Sequence, residues 1–99
     1  VIPKQIELGR HALGLPNRLR KSYRNHFCAG ATHDDFADWM QMVEQGNAVR
    51  SGGLELFGGD FFFRLTNVGA LACLSVGEKL DAEDFEITSH GSLATKHGI

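Results

Sequence analysis

Apolar positions recur along this chain with two periods, and the change of period divides it into elements. Pro3 to Leu13 has Ile2, Ile6 and Leu13 at roughly helical spacing, with Gly14 as a stop and Pro16 just beyond. Proline in the first turn is tolerated because the N–H it lacks has no intrahelical partner there. Asn17 is placed to cap a short second helix, in which Leu19, Tyr23, His26 and Phe27 fall on one side while Arg18, Lys21 and Arg24 take the rest of the cylinder. A short extended stretch over Tyr23–Cys28 is the alternative, since Tyr, Phe and Cys also suit strands. From Thr32 to Gly46, Phe36, Met40 and Val43 repeat at helical spacing with Trp39 beside them, which predicts a core-facing helix. Thr32 or Asp34 is its cap, Asp34, Asp35 and Asp38 sit near the positive end of its dipole, and Gly46 is a left-handed stop.

The period then falls to two. Ala48–Ser51 and Phe61–Leu65 read as the arms of a hairpin, with Gly52, Gly53, Gly58 and Gly59 permitting tight turns between them. Phe61, Phe63 and Leu65 should face inward, leaving Phe62 as an exposed aromatic. Thr66 caps a last helix over Asn67–Val76, its buried face expected at Val68, Leu71 and Ala72 with Val76 at the margin, and Gly77 ends it. Glu78–Thr88 is acidic with Leu80, Phe85 and Ile87 spaced through it, and Ser89–Ile99 is polar, as mobile tails are. The expected organisation is therefore a domain over residues 1–77 and an acidic, polar C-terminal tail over 78–99.

Helix, two-stranded hairpin and helix, in this order, form the core of a winged helix-turn-helix domain. Gly46, Val49, Arg50, Phe63, Leu65, Thr66 and Gly69 resemble the pattern of small bacterial and phage regulators. In that family a helix ends in Gly plus an apolar residue, a charged strand and wing follow, and aromatic-x-Leu-Thr-x-x-Gly opens the next helix. Asn47 departs from the usual apolar position. LysSerTyrArgAsnHisPhe, the AlaGly after it and a Trp-bearing helix are similar to small phage and prophage proteins, so the resemblance spans roughly residues 21–76. It implies an α+β, winged-helix-like domain of about four helices, with a two-stranded β-hairpin wing and a C-terminal tail. It also implies a binding module, although fold alone does not define function.

A length of 99 residues suits one domain, and an apolar fraction of 42% with 22% charged residues is ordinary for a soluble protein. No apolar run approaches the ~18 residues of a membrane span, and Val1–Arg10 lacks the apolar core of a leader, so neither membrane nor signal peptide is expected. Cys28 and Cys73 do not make a disulfide framework. Both lie among apolar residues, which predicts burial in a reduced, cytoplasmic setting, though spacing leaves one disulfide open.

Charge sharpens the functional expectation. The net charge is −2, but residues 1–26 hold Lys4, Arg10, Arg18, Arg20, Lys21 and Arg24 against Glu7, while acids dominate from Asp34 onward. A winged helix would insert Asp34–Gln45 into the major groove. That helix carries Asp34, Asp35, Asp38 and Glu44 without Lys or Arg, and the wing carries Glu55 and Asp60. Phosphate contacts need cations, and two glutamines able to read adenine, Gln41 and Gln45, do not offset these acids. A DNA contact would fall instead on Arg18, Arg20, Lys21 and Arg24.

Contact with a protein fits better. Asp34, Asp35, Asp38 and Gln41 would act with Leu54, Glu55, Leu56, Phe57, Asp60 and Phe62 of the wing, apolar groups within a polar rim. The alternative, with Leu56 and Phe57 folded back onto the core, has equal weight. An acidic surface can also mimic phosphates in a partner's nucleic-acid channel. The expected function is a non-enzymatic phage-type protein that binds, and in an anti-CRISPR-type role inhibits, a host protein or protein–nucleic acid complex. The alternative is a DNA-binding transcriptional regulator, with homodimerisation open.

Catalytic and metal chemistry find little footing. His26, Cys28 and His33 are near in sequence, with Cys73, His90 and His97 elsewhere, but none of the CxxC or HxxxH pairs that zinc favours is present. GlyGlyLeuGluLeuPheGlyGly lacks the Lys-Ser/Thr that follows a phosphate loop, and no nucleophile signature surrounds either cysteine. No metal and no cofactor is expected, and an enzyme using Cys28 with His26 or His33 is a third reading.

Overall fold

The structure, a computed structural model, describes residues 2–29, 34–52, 61–89 and 91–96. Helix α1, Pro3–Leu13, begins with proline in its first turn and ends at Gly14, whose φ of 78° is the left-handed conformation expected of a stop. A strand β1 (Phe27–Ala29), helix α2 (Phe36–Glu44), strands β2 (Ala48–Gly52) and β3 (Phe61–Leu65), helix α3 (Asn67–Ala72) and strands β4 (Phe85–Ile87) and β5 (Leu93–Thr95) follow. The fold is α+β. The described residues form three helices rather than about four, with a three-stranded antiparallel sheet ordered β1-β3-β2 and a two-stranded sheet β4-β5.

The helix expected after Asn17 is absent. Asn17 folds the chain back on itself: its side-chain oxygen accepts the N–H of Leu19 (3.1 Å) and of Lys21 (3.3 Å), and its amide donates to the carbonyls of Gly14 and Lys21. Such local bonding competes with helix formation. Residues 22–26 then lead without regular structure to β1, so the extended alternative is met only from Phe27. Ser22 and Asn25 are buried there, while Leu19, Tyr23 and His26 are exposed. Ser22 Oγ lies 3.0 Å from the carbonyls of Leu13 and Arg24. Asn25 accepts the Leu65 N–H (2.9 Å) and donates to the carbonyls of Leu65 (3.0 Å) and Leu93 (2.8 Å).

The core lies between the helices and one face of the larger sheet. Phe63 pairs with Phe27 on one side and Arg50 on the other, and Leu65 pairs with Ala48; the predicted alternation holds from Phe63 to Leu65, both fully buried, while Phe61 is only half-buried. Trp39 stacks on Phe63 with ring centroids 5.3 Å apart, and Phe27 lies 5.2 Å from Trp39. Trp39 and Met42 are the buried residues of α2, whereas the expected stripe of Phe36, Met40 and Val43 is half-buried around them. The N-cap position of α2 falls on Asp35, without a side-chain cap bond, and Thr32 lies outside the described residues.

Helix α3 is shorter than expected and turned the other way. Thr66 caps it as predicted, its Oγ1 accepting the Gly69 N–H at 3.1 Å and donating to the Gly46 carbonyl at 2.8 Å. The helix stops at Ala72, ahead of Gly77. Its inward face is Gly69, Ala70 and Cys73, while Val68, Leu71, Ala72 and Val76 point out. Close approach explains the inversion. A Cβ at Gly69 would stand 2.0 Å from the Asn47 carbonyl oxygen, and one at Gly9 of α1 would stand 2.3 Å from Cys73 Sγ. Only small residues let the backbones meet at these distances.

Residues expected to form a mobile tail pack on the same core. β4 and β5 pair in register, Phe85 with Thr95 and Ile87 with Leu93, and Phe85 and Leu93 are buried. Asn25 and a bridge between Thr66 and Ser92 tie this hairpin to β3.

Candidate functional site

Three surfaces bear on function. The first is the acidic side of α2. Asp34, Gln41 and Glu44 are exposed, but Lys4 of α1 sits 3.0 Å from Asp38 and 3.6 Å from Asp35. These pairs hold the Lys4 ammonium above its ordinary pKa, through the Asp38 hydrogen bond first. Gln41 also accepts a bond of 2.6 Å from the buried Gln5. The structure thus gathers Asp34, Asp35, Asp38 and Gln41 at the start and on the first turns of α2, with the single charge of Lys4 shared between two of the carboxylates. Leu54, Glu55, Leu56, Phe57 and Asp60 lie outside the described residues. Phe62 is half-buried rather than exposed, on the sheet face opposite the core, where it pairs with Cys28 and Ser51.

The second surface is the basic run. Lys21 is 2.8 Å from Asp84 and 3.2 Å from Asp81, and both bonds raise its pKa. Arg24 donates to the His11 carbonyl at 2.8 Å and covers the Tyr23 ring at 5.5 Å. Arg18 and Arg20 are exposed and carry no ion pair among the described residues. The four cations therefore do not present one free basic patch. Nor are any two helices consecutive among the described residues, since a strand precedes and follows α2, and a helix-turn-helix pair needs two in succession.

The third surface was hidden from sequence reasoning. Val68 and Leu71 are 67% and 53% exposed, Val76 is 99% exposed, and Ile87 of β4 is 65% exposed. Beside them a groove of about 260 Å³ runs between α3 and the β4–β5 hairpin, with Leu80, Phe85 and Leu93 in its wall and Leu71 and Ile87 at its lips. Two carboxylates, Asp81 and Glu86, line it, and no Lys or Arg does. The signal that could have located it is the run Gly69, Ala70 and Cys73: a face of small residues competes with a face of large ones for the core. Helical periodicity alone favours the large ones.

Cys28 is exposed, against expectation, and Cys73 is buried, where burial pushes its thiol up. Cys28 lies at the sheet face away from the core because its β1 neighbours Phe27 and Ala29 take the inward positions. No cluster of three or more His, Cys, Asp or Glu able to hold a metal occurs among the described residues, and no described helix is long and apolar enough to cross a membrane. No protein-family model matches the chain, and neither does any curated protein or solved structure with which it was compared.

Proposed function

We propose that the chain is a non-enzymatic binding module of winged-helix-like build that acts through protein–protein contact. The observation that carries this reading is the outward turn of α3, with Val68 and Leu71 in solvent and Leu71 sharing a groove with the exposed Ile87. Contiguous apolar surface rimmed by polar groups characterises interaction sites. The β2–β3 hairpin between α2 and α3, with β1 added to β3, supports the winged-helix-like part. The contact therefore centres on α3. The acidic side of α2 is a secondary contributor, because Lys4 offsets Asp35 and Asp38 and weakens any mimicry of phosphates. The DNA-binding alternative has less support, since Lys21 and Arg24 are engaged within the chain. The phage-type role as inhibitor of a host complex stands on the sequence resemblance.

The test is capture from nuclease-treated bacterial lysate on immobilised chain. A partner retained after nuclease and lost by the Val68→Gln, Leu71→Gln double variant is the expected result. Partners that vanish with nuclease would instead favour the DNA regulator.

A further inference from the structure

The basic run, which the protein-binding reading leaves aside, borders a cavity of about 450 Å³ between the turn from Asn17 to Tyr23 and the residues Asp84 and Thr95. That volume falls inside the roughly 300–1,000 Å³ of sites that enclose small molecules, which are mostly apolar and largely pre-formed. Two features fix the walls of this cavity in advance. Tyr23 is half-exposed, yet its ring lies so close to Gly14 that a Cβ there would stand 2.4 Å from Cε1, and Arg24 covers it at 5.5 Å. The turn itself is held by the Asn17 side chain, through its bonds to the Leu19 and Lys21 N–H groups and to the Gly14 and Lys21 carbonyls.

The hydrogen bonds of the wall define what a ligand must bring. Asn17 spends its oxygen and its amide within the turn, Ser22 Oγ is 3.0 Å from the carbonyls of Leu13 and Arg24, and Lys21 and Asp84 are 2.8 Å apart. These groups are engaged within the chain, so Leu19 and Tyr23 offer the cavity mainly apolar surface. Arg18 is different. It lines the cavity, is exposed, and has neither an ion pair nor a hydrogen bond among the described residues. A guanidinium carries only donors, and its planar fork matches an oxyanion. The chemistry left unmet is an apolar body with one anionic head.

We propose that this cavity binds a small organic anion, its apolar body against Leu19 and Tyr23 and its anionic group on the Arg18 guanidinium. The site shares no lining residue with the groove beside α3 and does not rest on the protein contact there.

The experiment titrates the chain with anilinonaphthalene sulfonate, whose fluorescence rises in apolar surroundings, and with phenylnaphthylamine, which has the same rings without the sulfonate. The sulfonate should bind at a single site per chain and more tightly than the neutral amine. Arg18→Ala should weaken the sulfonate about fivefold and leave the amine unchanged, whereas Leu19→Gln should weaken both. Both side chains are exposed, so neither variant should disturb the fold. Absence of sulfonate binding, equal affinity for the two dyes, or binding that Arg18→Ala and Leu19→Gln leave unchanged would overturn the proposal. So would binding lost instead with the Val68→Gln, Leu71→Gln variant, which would place the dye on α3. Sedimentation showing a dimer that Leu19→Gln dissolves would give the cavity to a second copy and overturn it equally.

Discussion

Asn25 stands in for a strand at the point where three segments meet. Its amide satisfies both backbone groups of Leu65 and the carbonyl of Leu93, so one side chain closes the end of β3 and holds β5 to it. Removing it leaves buried backbone groups unsatisfied, each at roughly 1–3 kcal/mol. Asn25→Ala should therefore lower stability to urea by about 3 kcal/mol, whereas Asn17→Ala, in a more exposed turn, should cost less. Neither role was legible in the sequence. A polar residue in a basic run looks like solvated surface, and the partners of Asn25 are 40 and 68 residues away. Thr66 and Gly46 were legible because a cap and a left-handed stop act within a few residues of chain.

Elements followed the same division between local and distant causes. The bounds of α1, the two arms of the β2–β3 hairpin and the start of α3 depend on proline, glycine, a capping hydroxyl and alternation, all visible locally. The side of α3 that faces the core depends on what it meets: the Asn47 carbonyl and, through Cys73, Gly9. The β4–β5 hairpin was missed because its strands are short and its buried side chains, Phe85 and Leu93, sit among acidic and small residues. The reversed orientation of α3 makes a sharp contrast. Val68→Gln and Leu71→Gln should each change stability by no more than about 0.5 kcal/mol, as exposed substitutions do. Ala70→Gln, at a fully buried position, should cost roughly 3 kcal/mol or more through overpacking and a buried amide. Thermal melts of the three variants check this, and the opposite ranking would return α3 to the orientation its periodicity suggests.

At the scale of the whole molecule, the uneven charge of the sequence is largely a description of its own folding. Cations from the first 26 residues meet acids from beyond residue 33: Lys4 with Asp35 and Asp38, Arg10 with Glu78, and Lys21 with Asp81 and Asp84. Arg10 is the most enclosed of these links, its guanidinium donating to both carboxylate oxygens of Glu78, to Ser75 Oγ and to the Cys73 carbonyl. These hydrogen bonds, with the Ser75 N–H, hold the Glu78 carboxyl down to about 2 from an ordinary 4.5. A carboxyl whose pKa is lower folded than unfolded stabilises the fold above its unfolded value and loses that contribution as pH falls through the folded one. Stability should therefore decline as pH drops from about 4.5 towards about 2, and Glu78→Gln should flatten the decline while lowering stability at neutral pH. An unchanged pH profile in that variant would remove Glu78 from the acid response.

The same internal pairing shifts the functional weight from charge to the exposed apolar face of α3. A side-by-side capture from nuclease-treated lysate is the most direct test, comparing the chain with its Val68→Gln, Leu71→Gln variant and with an Arg18→Ala, Arg20→Ala variant. The apolar variant should lose the partner while the arginine variant keeps it. Loss with the arginine variant alone, or a partner carried only by nucleic acid, would contradict a protein-binding function centred on α3.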